Sequence, residues 1–328
     1  MKRILLSLGM IVFVGGVVAG ATGAFFSDTE TSTGNTFAAG AIDLGIDNTS
    51  YYNGAPSPST SWGLNFDLDT LCTFDADGPG DNNPPIEHPC LFFDFDDLKP
   101  GDFGEDTISI HVNTNESWLC ADVKLTSNDD VSCTEPENDL LNGENGACNE
   151  LGVDLNPNTP DEDLTDGDLA QNIEFLWWAD DGDNVLEEDE SPLNPSGALG
   201  ALGVGNTATV ALADDDLNIF PLSLQGPDGG LLTDSPEEIA YVGKAWCFGD
   251  IAPFPTAIDD SVGNSPADPT NDGDASAPAT PEDGGYTCSG ASSLNNAAQT
   301  DSAKLDISFR AVQTRHNATF QCVNPNQT

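Results

Sequence analysis

The apolar stretches of this chain are short, and the clearest of them alternate with polar residues. Residues 107–112 and 305–312 both show this alternation, which is the period of a β-strand with one buried face. Leucine-rich helical periodicity is absent, whereas 33 glycines and 22 prolines interrupt the chain at short intervals. The pattern therefore predicts an all-β protein, a jelly-roll-like β-sandwich with long acidic loop insertions.

Other stretches with strand-like composition extend this prediction. They lie at 42–47, 90–96, 118–125, 173–178, 207–212, 219–224 and 239–248. The strands 107–112 and 118–125 are separated by only a few residues, so we expect them to form a hairpin. Between 98 and 102, Pro100 and Gly101 occupy the two central positions of a predicted type II turn.

The first 24 residues have the layout of an export signal. Lys2 and Arg3 precede an uncharged apolar run over 4–21, and Thr22 and Ala24 are small residues placed for cleavage before Phe25. We expect a signal helix over 1–24 and a single β-sandwich domain over 25–328, with insertions at about 72–90, 127–168 and 249–290. The alternative is an uncleaved anchor, since the apolar run is about long enough to span a bilayer.

Acidic residues dominate the charge of the chain. It has 56 acidic and 8 basic residues, giving a formal charge of −48, and the acids are spread along its whole length. Molar salt would screen the resulting repulsion, so a halophilic protein is predicted; a calcium-loaded surface in ordinary salt is the alternative. Such a chain cannot neutralise phosphates, which excludes nucleic acid as a partner, and it contacts a membrane only through an uncleaved signal.

Eight cysteines follow the signal, an even number that predicts disulfides in an exported chain. They are Cys72, Cys90, Cys120, Cys133, Cys148, Cys247, Cys288 and Cys322. The local pairs Cys72–Cys90 and Cys133–Cys148 are favoured, and the remaining connectivity is left open. No two cysteines have the C-x-x-C spacing of a zinc site.

Two motifs resemble the TasA/camelysin family of exported proteins. They are FFSDTETSTGNTFAAGAIDL at 25–44 and LKPGD at 98–102. The resemblance covers about the first 125 residues and, more faintly, the last strand. It implies processing by a dedicated signal peptidase, and a secreted protein that assembles with itself into fibres at the cell surface or in a biofilm matrix.

The segment 25–47 is the predicted assembly strand, which would add to an open sheet edge of a neighbouring subunit. Two sets of apolar side chains could fill the neighbour's pockets: Phe25, Phe26 and Phe37, or Ile42, Leu44 and Ile46. The alternative is that this segment pairs within its own domain.

Two further functions remain open: a monomeric, calcium-stabilised surface binding module and a camelysin-type secreted metallopeptidase. Catalysis is not expected, because H-E-x-x-H and G-x-S-x-G are absent and the chain has only three histidines. No cofactor is required. Calcium is the one candidate ion, and Asp181, Asp183 and Glu190 are favoured over Asp180 as its ligands; a solvated acidic turn is the alternative.

Four N-x-S/T sequons occur in this exported chain, which allows glycosylation. Asn317 and Asn326, near the C-terminus, are the favoured sites.

Overall fold

The computed structural model describes residues 27–31, 42–66, 71–74, 86–113, 115–129, 167–193, 197–233, 238–257, 280–290, 298 and 301–323. Its strands are β1 Ser27–Thr31, β2 Leu44–Tyr52, β3 Ala55–Pro56, β4 Trp62–Asn65, β5 Leu71–Phe74, β6 Ile86–Pro89, β7 Phe103–Val112, β8 Ser117–Asp129, β9 Ile173–Asp180, β10 Gly197–Ala198, β11 Thr207–Ala213, β12 Ala240–Phe248, β13 Asp250–Pro253, β14 Tyr286–Ser289 and β15 Ser302–Gln313. Three short 3-10 helices lie at Ala170–Asn172, Leu199–Leu202 and Leu222–Leu224. No helix within these described ranges is long and apolar enough to cross a membrane.

Two antiparallel sheets contain most of the strands. The smaller has the order β1-β15-β8-β11, and the larger has the order β10-β9-β12-β7-β2-β3, with β4 also paired to β2. The sandwich-like all-β architecture predicted from the sequence is confirmed. The jelly-roll topology stays a prediction.

Alternating apolar side chains of both sheets form the main core. Ile108 of β7 and Val242 of β12 come from the larger sheet, and Leu119 of β8 and Phe309 of β15 come from the smaller one; all four are fully buried in one cluster. The alternation seen in the sequence therefore marks the faces that the two sheets bury against each other.

The predicted hairpin between 107–112 and 118–125 is wrong. The first strand, β7, pairs with β12 and β2 in the larger sheet, whereas β8 pairs with β15 and β11 in the smaller sheet. The short connection between them therefore crosses from one sheet to the other. Its length suits either arrangement, and the partners available to each strand decide between them.

Two predicted strands are not formed. Residues 90–96 run as irregular chain, while the rings of Phe92, Phe93 and Phe95 pack against Trp62, Phe175 and Trp246. Residues 219–221 are irregular, and Leu222–Leu224 form a 3-10 helix. The type II turn at Pro100 and Gly101 is supported: Asp102 N donates to the Lys99 carbonyl at 2.8 Å, and Gly101 has a φ of 93°.

Small two-stranded ribbons lie within two of the predicted insertions. β5 pairs with β6 inside the insertion at 72–90, and β13 pairs with β14 inside that at 249–290. At the third, 127–168, strand β8 continues to Asp129, and 130–166 lies outside the described residues.

A second, smaller core lies on the opposite side of the larger sheet. It contains Leu176, Trp178, Leu186, Ala245 and Tyr286. Since Trp177 belongs to the main core and its neighbour Trp178 to this second one, β9 is buried on both faces. The chain after β9 and the end of the 249–290 insertion therefore cover the larger sheet from outside.

Candidate functional site

Ile42, Leu44 and Ile46 are part of the protein's own core. They are 5, 1 and 0% exposed, and β2 pairs with β7 with Leu44 opposite Val112 and Ile46 opposite Ile110. In this single chain these side chains therefore pack within their own domain, as the alternative interpretation expected, and they are not free to fill a neighbour's pockets. Phe25, Phe26 and Phe37 lie outside the described residues.

A different part of the predicted assembly segment lies at a sheet edge. β1 is the edge strand of the smaller sheet, and its one partner among the described strands is β15. Ser27 lies opposite Val312 and Thr31 opposite Ser308 in antiparallel register. Residues 32–41 separate β1 from Ile42, where burial in the core begins. Among the described residues, β1 thus pairs with one strand, and ten residues of chain lie between it and Ile42.

The acidic loop after β9 gathers three carboxylates. Asp180, Asp181 and Asp183 each offer an oxygen, and these oxygens lie within 4.8 Å of one another. Asp180 is buried, Asp183 is partly buried and Asp181 is exposed. This is the only such group of three or more potential ligands in the part of the chain that the structure describes. Three hard oxygens on a short loop are ligands that calcium prefers.

Backbone amides occupy part of this carboxylate set. Asp180 accepts hydrogen bonds from the Trp178 indole at 3.0 Å, from Gly182 N at 3.0 Å and from Asn184 N at 3.3 Å. Glu190 accepts from Asp181 N and Glu187 N, both at 3.1 Å. The carboxylate group that forms therefore contains Asp180, which the sequence analysis ranked below the other candidate calcium ligands. Glu190 instead accepts hydrogen bonds from the loop backbone beside it.

Burial and neighbouring carboxylates disfavour the charged form of two acids at this loop. Burial, together with the charge of Asp183, raises the pKa of Asp180 to about 8. Burial, together with the charge of Asp180, raises the pKa of Glu190 to about 9. A bound cation would offset the repulsion that contributes to both shifts.

Asn184 connects the loop to the sheet beneath it. It is 1% exposed and has a positive φ of 65°, and its Nδ2 donates to Glu105 Oε2 of β7 at 3.4 Å. Its Oδ1 has no hydrogen-bond partner among the described residues. Burial raises the pKa of Glu105 to about 8. A polar network thus continues from the acidic loop into the second core.

Three disulfides are present among the described residues: Cys72–Cys90, Cys120–Cys322 and Cys247–Cys288. The first confirms the local pairing favoured by the sequence, and the other two settle connectivity that the sequence left open. Cys133 and Cys148 lie outside the described residues.

The structure describes one of the two favoured glycosylation sites. Asn317 lies in a partly exposed turn, where its side-chain amide donates to the Gln313 carbonyl at 2.8 Å. Asn326 lies outside the described residues. The sequon residue Asn48 is buried in the core, so the folded domain does not offer it for modification.

Histidines are scattered through different environments. His111 lies in β7 with Nε2 3.2 Å from Asp47 Oδ2, and His88 contacts the carbonyls of Ser61 and Pro89. No histidine belongs to the ligand group found in the described ranges. The position of His111 within β7 agrees with a structural role.

Sequence reasoning missed a buried ion pair in the main core. Lys244 Nζ lies 2.7 Å from Asp106 Oδ2, and both side chains are almost fully buried. The available signal was the position of Lys244 in the apolar run 240–248, two residues from Val242 and two from Trp246. That parity predicts a core-facing side chain, although a lysine is ordinarily assigned to solvent.

The fold and these sites define an acidic, disulfide-linked β-sandwich protein. No protein-family model matches the sequence, and no curated protein matches it significantly.

Proposed function

We propose that this protein is an exported structural subunit that assembles with copies of itself into cell-surface or matrix fibres by exchange of its N-terminal strand. The observation that carries the proposal is the placement of β1. It is a five-residue edge strand that pairs with β15 and is tethered by residues 32–41. In this proposal, β1 leaves its own sheet by giving up its backbone pairing with β15.

Strand exchange would replace one set of backbone hydrogen bonds by an equivalent set. If β1 leaves its own sheet, the edge of β15 at 308–312 becomes open, and open edges pair readily with another chain. β1 of a neighbouring copy has the same sequence and fits that edge in the same register. Head-to-tail repetition then produces a fibre instead of a closed dimer.

The burial of Ile42, Leu44 and Ile46 limits the segment that exchanges. These residues anchor β2 beside β7 in the larger sheet, so the exchanged part ends before Ile42. This refines the sequence hypothesis, which extended the assembly strand to residue 47.

Export and maturation complete the proposal. The signal at 1–24, the resemblance to the TasA/camelysin family and the three disulfides support a secreted protein that a dedicated signal peptidase processes. Cleavage before Phe25 would free the end of the chain and allow β1 to reach a neighbour. The acidic composition supports assembly in high salt, where the repulsion between subunits is screened.

A cysteine trap tests the exchange directly. Thr31 lies opposite Ser308, so Thr31→Cys and Ser308→Cys variants, purified separately and mixed in molar salt, should form an intermolecular disulfide during assembly. Oxidation of the double variant as a monomer should form an intramolecular disulfide that keeps β1 paired with its own β15 and stops assembly. Each single variant incubated alone is the control for disulfides at other positions.

Two results would contradict strand exchange. One is fibres from the mixture that lack the 31–308 disulfide, and the other is unimpaired assembly of the oxidised double variant. A chain that stays monomeric under all salt conditions would instead favour the binding-module alternative. Chelator-sensitive cleavage of an unfolded substrate by the purified chain would favour the peptidase alternative.

A further inference from the structure

The side chain of Lys244 lies in the middle of the main core. It is on β12 between Val242 and Trp246, both of which face the core, and it is 0% exposed. The chain has 8 basic residues against 56 acidic ones. Burying one of these few cations in an apolar core is costly, and such a residue calls for a specific explanation.

Asp106 is positioned opposite this lysine by the sheet itself. β12 pairs with β7 with Lys244 directly across from Asp106, and Lys244 Nζ lies 2.7 Å from Asp106 Oδ2. The distance is that of a hydrogen bond, yet neither atom has a partner of acceptable hydrogen-bond geometry among the described residues. The amine is therefore held against the carboxyl group without being aligned for an ordinary hydrogen bond.

The surroundings of the pair exclude water and hold it in place. The ring centroids of Phe93 and Phe92 lie 3.8 and 5.2 Å from Lys244 Nζ. On the other side, Asn48 Nδ2 donates to Asp106 Oδ1 at 3.1 Å and also to the Thr60 carbonyl at 2.7 Å. One carboxyl oxygen thus has a fixed donor, while the other faces the amine.

We propose that Lys244 and Asp106 react with each other to form an intramolecular isopeptide bond. A bond forms between Lys244 Nζ and Asp106 Cγ, and the bond from Cγ to Oδ2 breaks. That oxygen leaves as water, with two of the three protons that the lysine ammonium carried. The ammonium and the carboxylate become one neutral amide, so the step needs no oxidant, reductant or other reactant.

The site offers what this condensation needs. Proton transfer within the pair gives the amine that attacks, and burial lowers the pKa of Lys244, against the opposing effect of the Asp106 charge. The Asn48 amide is placed to stabilise the negative charge that develops on Oδ1 as the tetrahedral intermediate forms. The fixed side chains hold the reacting groups together in a way that free molecules cannot match.

The core favours the product over the ion pair. Two buried charges lose much of their hydration, whereas an amide is neutral and its carbonyl keeps the hydrogen bond from Asn48. The new bond would join β7 to β12 in the middle of the larger sheet. It would act within one subunit and does not depend on the proposed assembly.

Mass spectrometry of the folded, mature protein tests the proposal. After reduction and denaturation, the intact chain should be lighter than its sequence by the mass of one water molecule. Cleavage after glutamates places Asp106 in the peptide 106–116 and Lys244 in the peptide 239–282. These two peptides should appear joined, and fragmentation should place the link at Lys244 and Asp106.

The chain contains a matched control in the exposed pair Lys99–Asp97. Its Nζ–Oδ2 distance is also 2.7 Å, but both side chains are largely exposed. Both residues lie in the peptide 88–105, which should keep its full mass. The variants Lys244→Met and Asp106→Ala should lose the link and regain the full mass, and this readout applies whether or not they fold well.

The result that overturns the proposal is equally direct. Recovery of the peptides 106–116 and 239–282 from folded wild-type protein as separate species of full mass would show a simple ion pair. Loss of water confined to other peptides, such as those with Asp-Gly sequences, would count against the proposal in the same way.

Discussion

The hydroxyl group of Tyr286 donates a hydrogen bond to Oε1 of Glu105 across 2.9 Å. Tyr286 begins β14, within the 249–290 insertion, and Glu105 lies on β7 of the larger sheet. Both are buried, so the end of this insertion covers the sheet from outside. Burial raises the pKa of the Glu105 carboxyl group against the opposing effect of this hydrogen bond, and so makes it a sensor of pH for this part of the fold.

Stability should therefore fall as pH rises across neutrality. Burial raises the pKa of Glu105 from 4.5 to about 8. The folded state keeps a proton that the unfolded chain releases above its own lower pKa, so the stabilisation is complete below about pH 4.5 and is lost as pH rises towards 8. Glu105→Gln should remove this component, which is on the order of a few kcal/mol at about 1.4 kcal/mol per pKa unit.

Denaturant unfolding of wild type and variant at several pH values measures the difference. Glu87→Gln, at an exposed position in β6, is the control for loss of one negative charge. Parallel pH profiles for wild type and Glu105→Gln would contradict this prediction.

Calcium should stabilise the domain through the acidic loop. At a free calcium concentration of about 100 times the dissociation constant, linkage predicts about 2.7 kcal/mol of added stability. Asp183→Asn should weaken this response, because Asp183 belongs to the carboxylate group. Asp189→Asn removes an exposed charge from the same loop and should keep it. Thermal unfolding with calcium and with a chelator provides the measurement. If calcium stabilises the two variants equally, it does not bind at this carboxylate group.

Leu44→Asp should unfold the domain instead of merely blocking assembly. Leu44 is buried in the main core opposite Val112, and an unpaired carboxylate there costs several kcal/mol, on the order of the whole stability of a domain. Thr49→Asp, at a partly exposed position of the same strand, should leave the fold intact. Circular dichroism of both variants distinguishes the two effects. A folded Leu44→Asp monomer would mean that the packing of Leu44 in its own core is not needed for folding.

The disulfides should contribute unequally to stability. Cys120–Cys322 joins residues 202 positions apart, whereas Cys72–Cys90 joins residues 18 apart. Loop-closure entropy predicts losses of about 5 and about 3 kcal/mol when each is replaced by an alanine pair. Chemical denaturation of the two double-alanine variants in molar salt gives the comparison. A larger loss for the Cys72–Cys90 variant would contradict the entropic argument.

Sequence patterns predicted those parts of the fold that are determined by a local property of the chain. Alternation at Ile108 and Ile110 identified a strand and its buried face, and Pro100-Gly101 identified a turn. The crossover after Val112 was not predictable in this way, because a four-residue link permits both a hairpin and a change of sheet. Its outcome depends on strands that lie far away in the sequence.

The burial of the charged interior residues was difficult to predict from the sequence for a related reason. Lys244, Asp106 and Glu105 are ordinary surface residue types, and apart from the parity of Lys244 with Val242 and Trp246 it is the fold that shows that they are buried. In a chain with 56 acids, no single carboxylate stands out. The acidic loop was found because its aspartates are close together in the sequence, but the inclusion of Asp180 depended on how the loop folds back at Gly182 and Asn184.

The central claim is that β1 is the strand that links one subunit to the next. Its most direct test compares two chains in molar salt, one beginning at Phe25 and one lacking residues 25–31, by sedimentation and electron microscopy with circular dichroism as the check on folding. The account predicts fibres from the first chain and folded, non-assembling protein from the second. Fibres of equal length and number from the chain without β1 would contradict it.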